Sequence, residues 1–143
     1  MKLLTSYDIT DLCSTYSIRI NGIFCRYEIP SSLRTGWYIL NLDRASGDGT
    51  HWCCWFYGKP ICMYFDSFGF PPPKLLESKL GNYRMNELKI QSLNSDSCGW
   101  FCLFCIRYCE QRGNTIEAFD KFIAQFSKKA NRNEKILEQS FTN

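Results

Sequence analysis

The spacing of apolar residues changes several times along this chain, and each change marks a predicted element. Over residues 6–16, Ile9, Leu12, Cys13 and Tyr16 recur at helical intervals, and Asp8 stands where it can cap the first turn. Residues 17–30 hold Ile18, Ile20, Ile23 and Phe24 without a clear period and fit either strand or loop, until Pro30-Ser31-Ser32 breaks the pattern. Residues 37–42 read as a buried strand, and turn formers fill residues 43–49. Two runs follow, 51–57 and 61–66, apolar on both faces as central sheet strands are. Gly58-Lys59-Pro60 between them predicts a hairpin-like pair.

Gly69 and the proline run Pro71-Pro72-Pro73 predict a rigid, non-helical exit, with a short helix over 74–80 after it. Residues 88–91 read as a short strand and 94–97 as a turn. A helix is predicted over 98–111, stopped near Gly113. A second, over 115–127, places Ile116, Phe119, Phe122, Ile123 and Phe126 on one face, and a weaker third covers 131–141. Helix, then strands, then helices is an α+β order. With no repeat, linker or low-complexity tract, it predicts a single domain over 1–143.

Composition narrows the class. Hydrophobic content of 45% with 22% charged residues excludes disorder, and 16% aromatics predict a tightly packed interior. The net charge of +3 permits weak attraction to DNA without demanding it. Met1-Lys2-Leu3-Leu4 turns polar at Thr5-Ser6, so no secretory leader and no membrane span is expected. The nine cysteines, an odd number, are therefore expected as thiols of a reducing compartment.

Candidate chemistry centres on the only histidine, His51, at the start of a predicted strand after a glycine-rich loop. If the chain does Cys–His chemistry, His51 is the base; the plain alternative is a histidine with no role. Asp66 closes the next strand. A hairpin register in which paired indices sum to about 117–118 would set it opposite His51 or its neighbour, where it could fix the imidazole tautomer. It could equally cap the following turn. Cys98 begins a predicted helix, whose N-terminal field favours thiolate, and Gly99 beside it would let a substrate backbone come close. Alone, Cys98 reads as well as a buried structural thiol. Gln91 could supply a neutral oxyanion donor or be an ordinary polar residue. Cys102, Cys105 and Cys109 recur at helical spacing among apolar neighbours and read as core rather than as a metal site. Adjacent Cys53 and Cys54 point to opposite sheet faces, so no metal is expected there. Lys128, Lys129, Arg132 and Lys135 read as a solvated helix face, with nucleic-acid contact the minority reading.

Taken in order, Gly49-Thr50-His51-Trp52, Tyr64-Phe65-Asp66-Ser67-Phe68-Gly69 and Gln91 through Cys98-Gly99 resemble the adenovirus endopeptidase (adenain) family. More distantly they resemble the ubiquitin-like-protein-specific proteases of the same clan. Asn41-Leu42-Asp43 and the loop before His51 look like the version in virophages and Polinton/Maverick transposons. The resemblance implies a compact papain-related fold, with a central mixed sheet flanked by helices and a circularly permuted triad. By that likeness Cys98 is the nucleophile, His51 the base, Asp66 its orienter and Gln91 the oxyanion donor, with Trp52 walling the cleft. The implied function is a cysteine endopeptidase, expected to act as a monomer. It would cleave viral capsid or core precursors at glycine-containing sites during virion maturation, in the virion or at the intracellular assembly site. No cofactor is required by the sequence. The adenovirus enzyme is stimulated by a viral peptide and by DNA, and no peptide-docking cysteine can be matched here. It also has glutamate where Asp66 stands. A deconjugating protease for ubiquitin-like modifiers and a non-catalytic capsid-associated protein of the same fold remain the alternatives.

Overall fold

The computed structural model describes residues 1–42 and 51–142; the turn formers of the predicted 43–49 loop lie outside the described residues. Among these residues the elements run α1 (Ser6–Thr15), β1 (Gly22–Cys25), β2 (Gly36–Asn41), β3 (Trp52–Tyr57), β4 (Cys62–Phe65), α2 (Lys74–Leu80), β5 (Tyr83–Met85), α3 (Cys98–Glu110), α4 (Ile116–Ala124) and α5 (Ala130–Ser140). This is the α+β class the sequence implies, with a mixed sheet in the order β1-β2-β3-β4-β5. The β2–β3 and β3–β4 pairs are antiparallel, and both outer pairs are parallel.

Both faces of the sheet are covered, which is why β3 and β4 read as continuous apolar runs. Trp37, Ile39, Trp52, Cys54, Phe56, Met63 and Phe65 face one core, shared with Ile9, Phe101, Phe119, Phe122 and Leu137 from α1, α3, α4 and α5. Tyr38, Leu40, Cys53, Trp55, Cys62 and Tyr64 face the other, closed by Leu76 and Leu80 of α2. Cys53 and Cys54 therefore do point to opposite faces. Cys102, Cys105 and Cys109 are fully buried in the first core, and all nine cysteines are free thiols. No helix among the described residues is long and apolar enough to cross a membrane.

Three local expectations need correction. Thr5, not Asp8, is the N-cap of α1; Asp8 sits at the third helical position and completes a capping box, with its carboxylate accepting from the Thr5 N–H at 2.9 Å. The strand expected over 88–91 is absent, and the fifth strand is Tyr83–Met85, parallel to β4. Ile90 is buried by other means: the Ile90 and Gln91 N–H groups both donate to the Ser67 carbonyl, and Asn133 Nδ2 donates to the Ile90 carbonyl. Finally, β3 and β4 pair as Cys54–Phe65, Trp55–Tyr64 and Phe56–Met63, an index sum of 119 rather than 117–118. Carried one step further, Asp66 falls opposite Cys53 and diagonal to His51.

The expected stop of α3 is present. Gly113 takes φ +80°, which only glycine adopts freely, and the Asn114 N–H closes back on the Cys109 carbonyl at 2.9 Å. The Asn114 side chain then accepts from Trp37 Nε1 at 2.8 Å, tying the helix end to β2.

Candidate active site

His51 and Asp66 each stand one residue outside a paired strand, His51 before β3 and Asp66 after β4. The adjoining strands thus bring the two residues close, each just beyond the hydrogen-bonded ladder. The diagonal arrangement suffices: His51 Nε2 lies 2.9 Å from Asp66 Oδ1. The same oxygen accepts the Phe68 N–H at 2.7 Å, and the Asp66 side chain is fully buried. A buried carboxylate bonded to one imidazole nitrogen settles which nitrogen is left for other chemistry. That nitrogen is Nδ1, buried without a hydrogen bond of ordinary geometry among the described residues.

Cys98 is the first residue of α3, as expected, and is 1% exposed. Ser97 precedes it as N-cap without donating or accepting a side-chain capping bond, so the positive end of the helix dipole at Cys98 is not offset by a capping oxygen. The Trp52 N–H approaches Cys98 Sγ at 3.4 Å. Cys98 also acts on the His51 ring as a hydrogen-bonding group and as a charge, in each case with less effect than Asp66. Burial is the largest influence on His51 and opposes its protonated form. The hydrogen bonds and charges of Asp66 and Cys98 outweigh it, and the imidazole pKa rises from 6.5 to about 9. By contrast, burial pushes the thiols of Cys53, Cys54, Cys102 and Cys105 well above the ordinary range, and that of Cys13 up to about 11. Those thiols are suited to packing rather than nucleophilic attack.

Three of the sequence-predicted residues are engaged by other parts of the chain. Gln91 is fully buried, and its amide nitrogen donates to the Ser95 carbonyl at 2.8 Å and to Ser95 Oγ at 3.3 Å. Its Oε1 accepts from Ser67 Oγ. In this state Gln91 anchors the loop that ends in Cys98, and its donors are spent on Ser95. Ser95 Oγ in turn donates to Glu134 on α5 and accepts the Ser97 N–H at 3.2 Å. Trp52 is buried, and its indole donates to the Leu4 carbonyl at 2.8 Å. Gly99 makes room for the chain's own N-terminal segment: a Cβ there would meet Leu4 Cδ1 at 3.0 Å and Trp52 Cδ1 at 3.3 Å. With Trp100 Nε1 donating to the Lys2 carbonyl at 3.2 Å, two indoles hold residues 2–4 against the start of α3.

Sequence reasoning missed two neighbours of the dyad. Phe68 stacks on His51 with ring centroids 4.3 Å apart and planes inclined by 16°, fixing the ring orientation. It lies inside the Tyr64–Gly69 segment that carries the resemblance, so its position was visible though its contact was not. Asn86 is buried and bonds the Asp66 backbone. No sequence signal marked it, because the strand it follows was not foreseen.

This arrangement of sheet and helices recurs in solved structures. The chain superposes on the crystal structure of the selenomethionine form of the ASFV pS273R protease with a TM-score of 0.59 at 16% identity, over 99% of this chain and 69% of that one. A second crystal structure of the ASFV pS273R protease gives 0.53 at 17% identity, over 92% and 64%. The chain has the fold of these proteases. The sequence matches no protein-family model and no curated protein.

Proposed function

We propose that this chain is a cysteine endopeptidase with Cys98 as nucleophile, His51 as general base and Asp66 as the group that orients it. The observation that carries this reading is the buried 2.9 Å contact between His51 Nε2 and Asp66 Oδ1, on an imidazole that Cys98 also acts on and whose protonated form burial opposes. The likeness in fold to the ASFV pS273R protease supports it.

In the proposed reaction His51 Nδ1 takes the Cys98 proton, giving a thiolate beside an imidazolium held by Asp66. The thiolate attacks the substrate carbonyl carbon, forming a C–S bond and an oxyanion. The C–N bond then breaks as the imidazolium gives its proton to the leaving amine. Water adds to the thioester with its proton passing to His51, the C–S bond breaks, and the thiol is restored. The Trp52 N–H and the start of α3 stabilise the thiolate. For Gln91 to donate to the oxyanion, it must exchange a Ser95 contact for the substrate oxygen. The 3.3 Å bond to Ser95 Oγ is the longer of the two and the one to give up.

The finer reading rests on the motif resemblance to the adenain type. The substrates are viral capsid or core precursors, cut at glycine-containing sites during virion maturation, in the virion or at the assembly site. Peptide or DNA activators of the kind the adenovirus enzyme uses fall under the same reading. The test is cleavage-site profiling of the purified protein on a diverse peptide library, with and without DNA and virion peptides, against Cys98→Ala. Cuts made by the wild type alone, clustered at glycine-flanked bonds, are expected. Equal cutting by Cys98→Ala, or none under every condition, rejects the assignment.

A further inference from the structure

Asp66 can orient His51 only if its own backbone is fixed, and Asp66 lies just beyond the last paired residue of β4. On the side toward β5 the register ends at Tyr64–Met85, so no ladder reaches Asp66 there. The Gly69 N–H donates to the Asp66 carbonyl at 2.8 Å, and one side chain engages both the Asp66 N–H and its carbonyl. Asn86 Oδ1 accepts the Asp66 N–H at 3.1 Å, and Asn86 Nδ2 donates to the Asp66 carbonyl at 2.7 Å. The second Nδ2 hydrogen goes to the Leu88 carbonyl at 3.0 Å. Asn86 is 2% exposed, and all three of these groups are protein groups.

This pair of bonds copies the N–H and C=O exchange of two facing strand residues, made by an amide side chain. It fixes the Asp66 peptide planes on both sides of its Cα, and with them the direction of the Cα–Cβ bond. The carboxylate has few other constraints: Oδ1 meets His51 and the Phe68 N–H, while Oδ2 is buried with no hydrogen-bond partner among the described residues. An asparagine is suited to the task because its one amide offers an acceptor and two donors in one plane. An aspartate there would lose both donations.

We propose that Asn86 is a positioning residue of the catalytic dyad, clamping the Asp66 backbone at N–H and C=O so that the carboxylate stays on His51 Nε2. The inference rests on the triad reading above, but its test needs no peptide substrate. Among the described residues, the groups acting on His51 are Asp66 and Cys98, with Phe68 on its ring face.

His51 is the only histidine, so its imidazole resonances titrate without overlap from another. The experiment is NMR titration of His51 in the wild type, Asn86→Ala, Asn86→Ser and Asp66→Asn. Each is compared for iodoacetamide alkylation of Cys98 against pH, and folding is checked by circular dichroism. Loosening the clamp should lower the His51 midpoint by roughly a unit or more in Asn86→Ala and by less in Asn86→Ser, and should slow Cys98 alkylation on the acid side. If Asn86→Ala does not fold, Asn86→Ser carries the comparison. A folded Asn86 variant that melts earlier but keeps the wild-type His51 midpoint and alkylation profile overturns the clamp, leaving Asn86 as a structural residue. An Asp66→Asn protein with an unmoved His51 midpoint overturns the triad reading itself, and the clamp with it.

Discussion

Separating Asp66 from Cys98 as influences on His51 gives a quantitative test of the site. In the wild type the imidazole midpoint stands at about 9 against an ordinary 6.5. The rise from 6.5 to about 9 corresponds to roughly 3 kcal/mol of preference for the protonated form in the folded state. Burial opposes that preference, so the hydrogen bonds and charges of Asp66 and Cys98 supply more than the net amount. Cys98→Ala removes one of the two and leaves the 2.9 Å contact to Asp66, so the midpoint should fall but stay above 6.5. Adding Asp66→Asn leaves burial unopposed, and the midpoint should drop below 6.5. The sign follows for stability. The folded Cys98→Ala protein holds this proton more tightly than the unfolded chain, so His51 stabilises it fully below pH 6.5. That contribution is lost as pH rises through the folded midpoint. Relative to the double variant, its unfolding free energy should decline as pH rises from about 6.5 through its own midpoint, by less than about 3 kcal/mol. The assay is NMR titration of the single histidine, with urea unfolding at several pH values. A double variant that still titrates above 6.5 would refute the reasoning, because no other group among the described residues raises the His51 midpoint.

Other outcomes follow from the same geometry. Cys98→Ala and His51→Ala should each abolish peptide cleavage while leaving the fold intact by circular dichroism, and full activity in either removes the protease assignment. Asp66→Ala should retain more activity than either, with kcat/KM reduced roughly 10²–10⁴-fold; a loss as complete as that of Cys98→Ala would contradict its supporting role. Gln91→Ala should lower kcat by about 10²–10³-fold if its amide reaches the oxyanion. An unchanged kcat with a lower melting temperature would restrict it to holding the Ser95 loop. Gly99→Ala presses a methyl group against Leu4 and Trp52 and should cost about 1–3 kcal/mol, with faster hydrogen exchange over residues 2–5; unaltered stability and exchange would mean that the segment is not packed as described.

The pairing of His51 with Asp66 was legible because the proposed chemistry depends on residue type and on ends of elements. A single histidine leaves one candidate base, turn formers and apolar runs bracket β3 and β4, and an all-round apolar helix starting at Cys98 was plain from its sequence. The hairpin register was nearly right, and the error cost nothing. Measured from a sum of 117 the shift is two, which moves a residue along the same sheet face, so Asp66 remained within reach of His51 on the diagonal. The strand at 88–91 failed for a different reason. Ile90 is buried like a strand residue, but single bonds to Ser67 and Asn133 satisfy its backbone where a ladder was assumed. The real strand, Tyr83-Arg84-Met85, is three residues long with an arginine at its centre, too short to show a period.

Gly99 shows the limit most clearly. A glycine after a nucleophile reads locally as an opening for substrate, and nothing nearby in sequence argues otherwise. Its neighbour in space is Leu4, with Trp52 and Trp100 bonding the carbonyls of Leu4 and Lys2. Three of the site's elements are thus element ends: His51 before a strand, Asp66 after one, and Cys98 at the first turn of a helix. Ends have free hydrogen-bonding groups, so each needs something beyond the ladder or helix to hold it. The Asn86 amide holds Asp66, Phe68 covers His51, and the Gln91–Ser95–Glu134 chain holds the loop before Cys98. The reactive side chains can be read from local sequence, whereas these supports come from residues that become neighbours only on folding.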